Sequence, residues 1–444
     1  MLRPYQTKAL EDCRQAISQG FKKLLLCMPT GSGKTSVSTQ IIQTASERGY
    51  KCVFLVHRVE LIRQTLDTFN KFNINCGVIA AGWEPKPAAV QIASIPTLYR
   101  RLGKLPNFDL VIIDEAVHAI DGNSWGKVLQ SWPDAWLVGL TATPQRLSGE
   151  GLNIFDRLIL GPSVSELIDM GYLAPYKLYA PEVARFDKCH VRAGDYISSE
   201  VEDIINRPAI IGDVIDHYKT LSPNRRTVVF CATVAHSKNV AAQFNAVGFK
   251  AVHVDGNTPD NEREQAIEDF KSGRIKILTN CNLFVEGVDL PALETLIMLR
   301  PTKSLSLYLQ AVGRALRPYP NKTALILDHV GNTFRHGLPD DPHEWTLEGK
   351  SKKNRNDEKL IAIKTCPKCY AVYRPRAMCP YCGAESVKEI TIKEKKGALQ
   401  EVKRIEQRHA RTLEELIELG KTRGYKNPSY WAYKVSKGRK NERK

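Results

Sequence analysis

Asp114, Glu115 and His118, in the stretch IDEAVH that ends the apolar run DLVII, are residues whose types and spacing suggest chemistry. On a helix, Glu115 and His118 stand three apart on one face, the Glu-x-x-His spacing of carboxylate-bridged metal enzymes. At the carboxyl end of a buried strand, Asp114 and Glu115 instead suit a Mg²⁺ ion and an activated water beside a nucleotide. The first reading needs a second Glu-x-x-His on the helices of a bundle, and the sequence has no bundle pattern. The second needs a phosphate site upstream.

MPTGSGKTS supplies one, following the run LLLC and opening a helical stretch. In such a loop the backbone N–H groups of Thr30, Gly31, Ser32 and Gly33 point at phosphate oxygens. Lys34 reaches the β and γ phosphates and Thr35 offers its hydroxyl to Mg²⁺. Met28 stands where the strict pattern has glycine. With this loop in place, Asp114 is expected to hold Mg²⁺ through its water shell and Glu115 to orient or deprotonate the attacking water. A plain structural histidine is the competing account of His118.

A second centre lies in CPKCYAVYRPRAMCPYCG, where Cys366, Cys369, Cys379 and Cys382 form two C-x-x-C knuckles. Four thiolates so spaced suit tetrahedral Zn²⁺, and a segment too small for its own core gains its fold from the metal. An iron-sulfur cluster is the alternative, and a structural staple is the plain role. Tyr373, Arg374 and Arg376 between the knuckles suggest a nucleic-acid contact. Near the end, Tyr425, Tyr430, Trp431 and Tyr433 interleave with Arg423, Lys426, Lys434, Lys437 and Arg439. Rings for bases beside cations for phosphates form a single-strand-binding pattern, although the rings would serve equally well to pack the tail.

The elements that must position these groups follow from hydropathy. The runs KLLLC, CVFLV, VQIAS, DLVIID and WLVGLTA alternate with helical stretches, the rhythm of a parallel sheet covered on both faces. After SVSELIDMGYLAPYKLYAPEVARF, read as a connecting helix and an extended segment, TVVFCA, AVHVD, IKILT, TLIML and TALILD repeat that rhythm. Two α/β domains are expected, divided near residues 165–185. EGKSKKNRNDEKL reads as a charged linker, and Leu399, Val402, Ile405, Leu413, Leu416 and Ile417 as an amphipathic helix ending at Gly420.

The 444 residues, 43% hydrophobic and 25% charged, are enough for two or three domains with cores. No run approaches a membrane span and the N-terminus has no signal-peptide core, so the cytoplasm of a bacterium, or of a host cell for a phage gene, is expected. Seven of the eleven cysteines are scattered singly, mostly in or near apolar runs, as small buried hydrophobes in a reducing compartment. The formal net charge is +16, and residues 383–444, with 17 Lys and Arg against 9 Asp and Glu, hold +8 of it. That excess favours a polyanion such as nucleic acid.

In order along residues 2 to 330, the chain resembles superfamily 2 helicases and translocases, whose motor is two RecA-like domains clasping ATP. LRPYQ resembles the adenine-recognising segment, with Arg3 and Gln6 on the nucleotide side, and MPTGSGKT is similar to motif I. VHRVELIRQ resembles motif Ia, DEAVH motif II in its DEAH-like form and LTATP motif III. VVFCATVAHS, LFVEGVDLP and YLQAVGRALRP resemble motifs IV, V and VI. Gln310, Arg314 and Arg317 recur three or four apart, on one face of a helix, so they can turn toward a nucleotide held by the other domain. Arginine then supplies transition-state charge only when the cleft shuts.

The resemblance further implies that Gly287 and Asp289 complete the nucleotide site, and that His118, Thr141 and Thr143 couple the γ phosphate to the interdomain geometry. It lays nucleic acid across both domains, against His57, Arg58, Gln64, Ser94, Thr97, Thr279 and Asn280. LRPYQ, LRPTKSLSLYLQAVGRALRP and LILDHVGN look most like the RadD group of DNA-repair helicases and phage-encoded relatives.

The expected product is an α/β protein with two tandem RecA-like parallel-sheet domains, residues 1–165 and 166–345. A linker (346–365), a four-cysteine zinc ribbon (366–383) and a basic helical tail (384–444) that binds nucleic acid, through Tyr425 and Trp431 among others, would follow. The expected function is an ATP- and Mg²⁺-dependent helicase or translocase in replication, recombination or repair. It would act as a monomer on DNA of single-stranded or branched character, with replication or repair proteins as partners. The alternatives are a non-unwinding translocase or annealing remodeller, an RNA helicase, and an ATP-switched nucleic-acid clamp or adaptor.

Overall fold

The computed structural model describes the chain apart from residues 1, 59, 120–123, 147–149, 182–185, 187–188, 193, 207, 282, 284–289, 291, 349–360, 386–409, 411, 426 and 442–444. Its first half alternates helices and strands: α1 (Pro4–Ser18), β1 (Lys23–Cys27), α2 (Lys34–Glu47), β2 (Cys52–Val56), α3 (Glu60–Lys71), β3 (Cys76–Ile79), β4 (Val90–Ser94), α4 (Ile95–Arg101), β5 (Leu110–Ile113), α5 (Ser124–Gln130), β6 (Trp136–Thr141) and β7 (Arg157–Leu160). The strands form one sheet in the order β3-β4-β2-β5-β6-β1-β7, parallel throughout. Every residue of β2, β4 and β5 is buried, which is why β2 and β5 read as unbroken apolar runs rather than alternating ones.

This order sets the site. β6 lies between β5 and β1, with Cys27 opposite Thr141 and Ile113 opposite Gly139. The loops leaving β1, β5 and β6 therefore emerge side by side at the carboxyl edge, where open α/β sheets bind ligands.

The capped helix α6 (Val164–Asp169), whose Ser163 and Glu166 make a reciprocal capping box, leads into the second half. There follow β8 (Tyr176–Tyr179), a short hairpin of β9 (Val191–Arg192) and β10 (Asp195–Tyr196), α7 (Ser198–Ile205), α8 (Pro208–Leu221), β11 (Thr227–Cys231), α9 (Val234–Ala246), β12 (Ala251–Val254), α10 (Asp260–Lys271), β13 (Ile277–Asn280), β14 (Thr295–Leu299), α11 (Leu305–Ala315), β15 (Ala324–Asp328) and α12 (Asn332–His336). The second sheet runs β12-β13-β11-β14-β15-β8, again parallel. The extended segment expected after the connecting helix is thus its edge strand, β8.

The first knuckle lies between the paired strands β16 (Lys364–Thr365) and β17 (Val372–Tyr373), and the second follows β17. Cys366, Ala371, Tyr373 and Cys379 are buried in the same apolar cluster as Tyr179, Tyr218, Leu325 and Leu327 of the second domain. The Ala180 N–H donates to the Tyr370 carbonyl at 3.0 Å, and Arg374 pairs with Asp340 and Asp341 at 3.2 Å each. Tyr373 is therefore a core residue and Arg374 is tied to the motor, so neither matches the free nucleic-acid contact expected from sequence.

Residues Met1–Ser386 form one compact unit and Val387–Lys444 a second. In the second unit, α13 (Leu413–Thr422) and α14 (Pro428–Asn441) make a helical hairpin. α13 starts at a Thr412–Glu415 capping box and runs past Gly420, because the left-handed residue that ends it is Gly424 (φ 68°). Leu399, Val402 and Ile405 lie outside the described residues. Among the described residues no helix is long and apolar enough to cross a membrane. Burial pushes the thiols of Cys13, Cys27 and Cys52 up to about 12, as expected of small hydrophobes.

Candidate active site

β1 delivers the chain into the loop Met28–Gly33, where Gly31 (φ 87°) and Gly33 (φ 81°) adopt the left-handed conformation that turns it into α2. Lys34, at the start of α2, is buried and donates to the Met28 carbonyl at 3.0 Å. The Ser32 hydroxyl is buried and, among the described residues, has no hydrogen-bond partner. An orphaned donor inside a loop of N–H groups at a helix N-terminus suits an anion, and the residues present fit a nucleotide phosphate. Thr30 and Thr35 flank it.

α1 braces the loop from behind. Tyr5 donates its hydroxyl to the Ser32 carbonyl at 2.7 Å, and the Gln6 amide donates to the same oxygen at 2.9 Å. Gln6 also accepts from the Arg3 backbone N–H at 2.9 Å, while the Arg3 guanidinium lies 4.7 Å from the Tyr172 ring centroid. The segment called for adenine recognition is thus joined directly to the phosphate loop.

Asp114 and Glu115 leave the end of β5, and a single 3-10 turn, Ala116–His118, follows. The helical Glu-x-x-His reading is thereby excluded. The Asp114 N–H donates to Leu55 at 3.0 Å, and Glu115 is left-handed (φ 49°, ψ 59°), an uncommon state for a non-glycine residue and one that clusters at functional sites. His118 stacks on His57, ring centroids 4.5 Å apart. From β6, Thr141 accepts from the Thr143 N–H at 3.1 Å and the Thr141 carbonyl receives the Met28 N–H at 3.0 Å. A backbone hydrogen bond therefore ties the start of the phosphate loop to the end of β6.

The second domain reaches this edge through α11. Gln310 donates to Glu115 at 3.4 Å and Thr143 donates to Ser306 at 2.5 Å. A Cβ on Gly313 would lie 2.5 Å from Thr30 Cβ, and one on Gly31 would lie 3.5 Å from Arg317 Cγ. Arg314 stands on α11, but Arg317 lies beyond its C-cap, Leu316. Pro318 explains this difference from the expected single helix, since the residue before a proline is disfavoured in helix. Ser306, Gly313 and the His57 stack were not singled out for these roles from sequence. Gly287 and Asp289 lie outside the described residues.

Gly313 yields a direct expectation. Gly313→Val should hold α11 off the phosphate loop and lower kcat for ATP at least about tenfold, because small misplacements of catalytic groups are costly. Steady-state ATPase beside a thermal melt checks this; full activity in the variant would mean that α11 need not approach the loop.

Residues assigned to nucleic acid are distributed differently. Arg58 follows β2 and Gln64 lies on α3, whose Arg63 pairs with Glu264 of α10 at 2.5 Å. Ser94 donates to Thr97 at 3.1 Å. Thr279 and Asn280 are fully buried, donating to Ser237 and Val229 carbonyls at 2.9 and 3.0 Å.

The four knuckle thiols come together with every pair of sulfurs within 4.8 Å. Cys366 and Cys382 are 3.5 Å apart and Cys369 and Cys379 3.7 Å apart, against about 3.8 Å in a tetrahedron with 2.3 Å Zn–S bonds. Tyr370 (φ 60°) and Gly383 (φ 70°), each directly after the second cysteine of its knuckle, turn both loops alike. The donor set and geometry fit zinc.

Residues 1–146 match the family model described as type III restriction enzyme, res subunit, and residues 208–319 match the helicase conserved C-terminal domain. A 51.5 kDa protein of Lactococcus phage (isolate 7-9) is 36% identical over 359 residues, covering 80% of this chain and 76% of that one. The putative ATP-dependent helicase IRC3 of Saccharomyces cerevisiae is 28% identical over 74% of this chain, which spans 52% of the yeast protein. Among solved structures, a fragment of a putative HsdR subunit of a type I restriction enzyme from Vibrio vulnificus superposes with a TM-score of 0.61 at 24% identity, over 76% of this chain and 66% of that one. The two parallel sheets are tandem RecA-like domains, and the chain belongs to the superfamily 2 helicases, ATP hydrolases that act as nucleic-acid helicases or translocases.

Proposed function

We propose that this motor works on DNA of single-stranded or branched character and uses ATP closure to translocate or unwind. The supporting observation is α11 seated on the phosphate loop, Gln310 against Glu115 and Gly313 against Thr30. In this reading the loop from Thr30 to Thr35 holds the phosphates, with Lys34 on the β and γ groups and Thr35 and Asp114 on Mg²⁺. Glu115 activates water, while Arg314 and Arg317 neutralise transition-state charge on closure. Thr143, through Ser306, ties the nucleotide state to the second domain. His118 lies beside His57, in the segment assigned to the nucleic-acid backbone. Zn²⁺ at the four cysteines has a structural role. Residues 1–165 and 166–345 are the two motor domains, and 346–365, 366–383 and 384–444 are linker, ribbon and tail. Restriction-enzyme subunits among the matches favour DNA over RNA.

ATPase rates measured across single-stranded, duplex, forked and branched DNA and their RNA counterparts, at a stated salt concentration, test this. Stimulation is expected to be largest with DNA carrying a single-stranded segment. A rate indifferent to every nucleic acid would end the motor reading, and a preference for RNA would overturn the choice of DNA.

A further inference from the structure

Four rings interleave with cations in the tail, and the helical hairpin sorts them into two groups. Trp431 faces α13: a Cβ on Gly420 would lie 3.2 Å from its ring, and its centroid is 5.0 Å from that of Tyr425. With Leu416 and Ala432, both at most 1% exposed, it closes the hairpin's interior. Tyr430 and Tyr433 do the reverse, at 58% and 54% exposed. Three apart on α14, they share one face, and Lys434, four beyond Tyr430, places its ammonium 5.1 Å from the Tyr430 ring centroid.

Charge is sorted as well. The exposed residues of α13 include Glu414, Glu415 and Glu418, whereas α14 contains Lys434, Lys437, Arg439 and Lys440 and no acidic residue. A polyanion is therefore repelled by one helix and attracted by the other. Exposed rings of this size on a helix whose charged residues are all basic combine stacking surface with phosphate neutralisation, the two terms that hold single strands without sequence preference.

We propose that the Tyr430–Tyr433–Lys434 face of α14 is a single-strand nucleic-acid site in which the two tyrosines stack on bases and Lys434 meets a phosphate. This moves the stacking role from Trp431, which packs the hairpin, and from Tyr425, 39% exposed but set against the Trp431 ring, to the two most exposed rings. It rests on the reading that the motor's substrate is nucleic acid.

The test measures fluorescence anisotropy of labelled oligo-dT and oligo-rU, about 20 nucleotides long to exceed one site, with the full chain at several salt concentrations. Tyr430→Leu/Tyr433→Leu should weaken binding at least about tenfold in both arms by the same factor, because stacking ignores the sugar. Tyr430→Phe/Tyr433→Phe should bind like the parent. Lys434→Gln, a solvent-facing change that leaves the hairpin packing intact, should lower the salt slope by about one.

Parent-like binding by the Leu double variant, equal losses for Leu and Phe, a loss confined to one arm, or an unchanged salt slope for Lys434→Gln would each overturn the site. If these variants behave like the parent while nucleic acid still stimulates the ATPase, only this inference fails. If the parent chain neither binds nor responds to nucleic acid, the motor reading fails with it.

Discussion

Glu115→Gln is expected to lower ATP hydrolysis by about 10³-fold, within the 10²–10⁴ range of a lost general base, while leaving ATP binding close to that of the parent. Glutamine keeps the shape of the side chain, and its amide can still meet Gln310, which donates to Glu115 at 3.4 Å. What it removes is the basic oxygen. At 1.36 kcal/mol per tenfold, the loss corresponds to about 4 kcal/mol of transition-state stabilisation.

Binding should survive because the proposed phosphate contacts lie elsewhere, in the loop after β1 with its orphaned Ser32 hydroxyl and buried Lys34. Lys34→Ala should fail the other way, with weak binding as well as slow turnover. The decisive measurement is single-turnover hydrolysis beside nucleotide affinity. A Glu115→Gln chain that turned over within tenfold of the parent would place water activation on another group.

The place of these residues, at the carboxyl edge of the first sheet, was legible because they announce themselves by type. A Gly-x-Gly-Lys-Thr loop and an Asp-Glu pair ending an apolar run need no partner to be recognised. The buried strands were legible for a similar reason, since β2 and β5 are buried throughout and read as apolar blocks. β3 and β7 escaped notice because of the glycine in CGVI and the exposed ends of RLIL.

Relations between distant segments were hidden. Gly313 lies within a quoted motif, yet its need to be glycine exists only because Thr30 stands opposite. Ser306 matters through Thr143, 163 residues away. Likewise, the spacing of aromatic residues in the tail could not say which rings face in, because that depends on where α13 lies against α14.

Stripping the metal from the four cysteines, or replacing Cys366 by Ser, is expected to unfold part of the second motor domain as well as the ribbon. Eighteen residues cannot build a core of their own, so a zinc ion bound at the four cysteines would supply much of the ribbon's order. Cys366 and Cys379 are 0% and 3% exposed, and the chain between them carries Ala371 and Tyr373 into the cluster that also holds Leu325 and Leu327 of β15. The same segment covers β8, the edge strand of the second sheet, through the Tyr179–Ala371 bridge, and an uncovered edge is a site for aberrant pairing.

Structural zinc contributes about 10–16 kcal/mol in small metal-dependent domains, as large as the whole stability of an ordinary domain, about 5–15 kcal/mol. Loss of the ion should therefore outweigh any single surface change. Arg374→Ala, which removes ion pairs made by a side chain 45% exposed, should cost about 1 kcal/mol or less. One zinc per chain, a fall in the thermal midpoint with a strong chelator, and faster amide exchange in β8 and β15 are the expected results. If the stripped chain kept its exchange protection in those strands and its stimulated ATPase, the ribbon would be an appendage, and its burial against the motor core would have no energetic consequence.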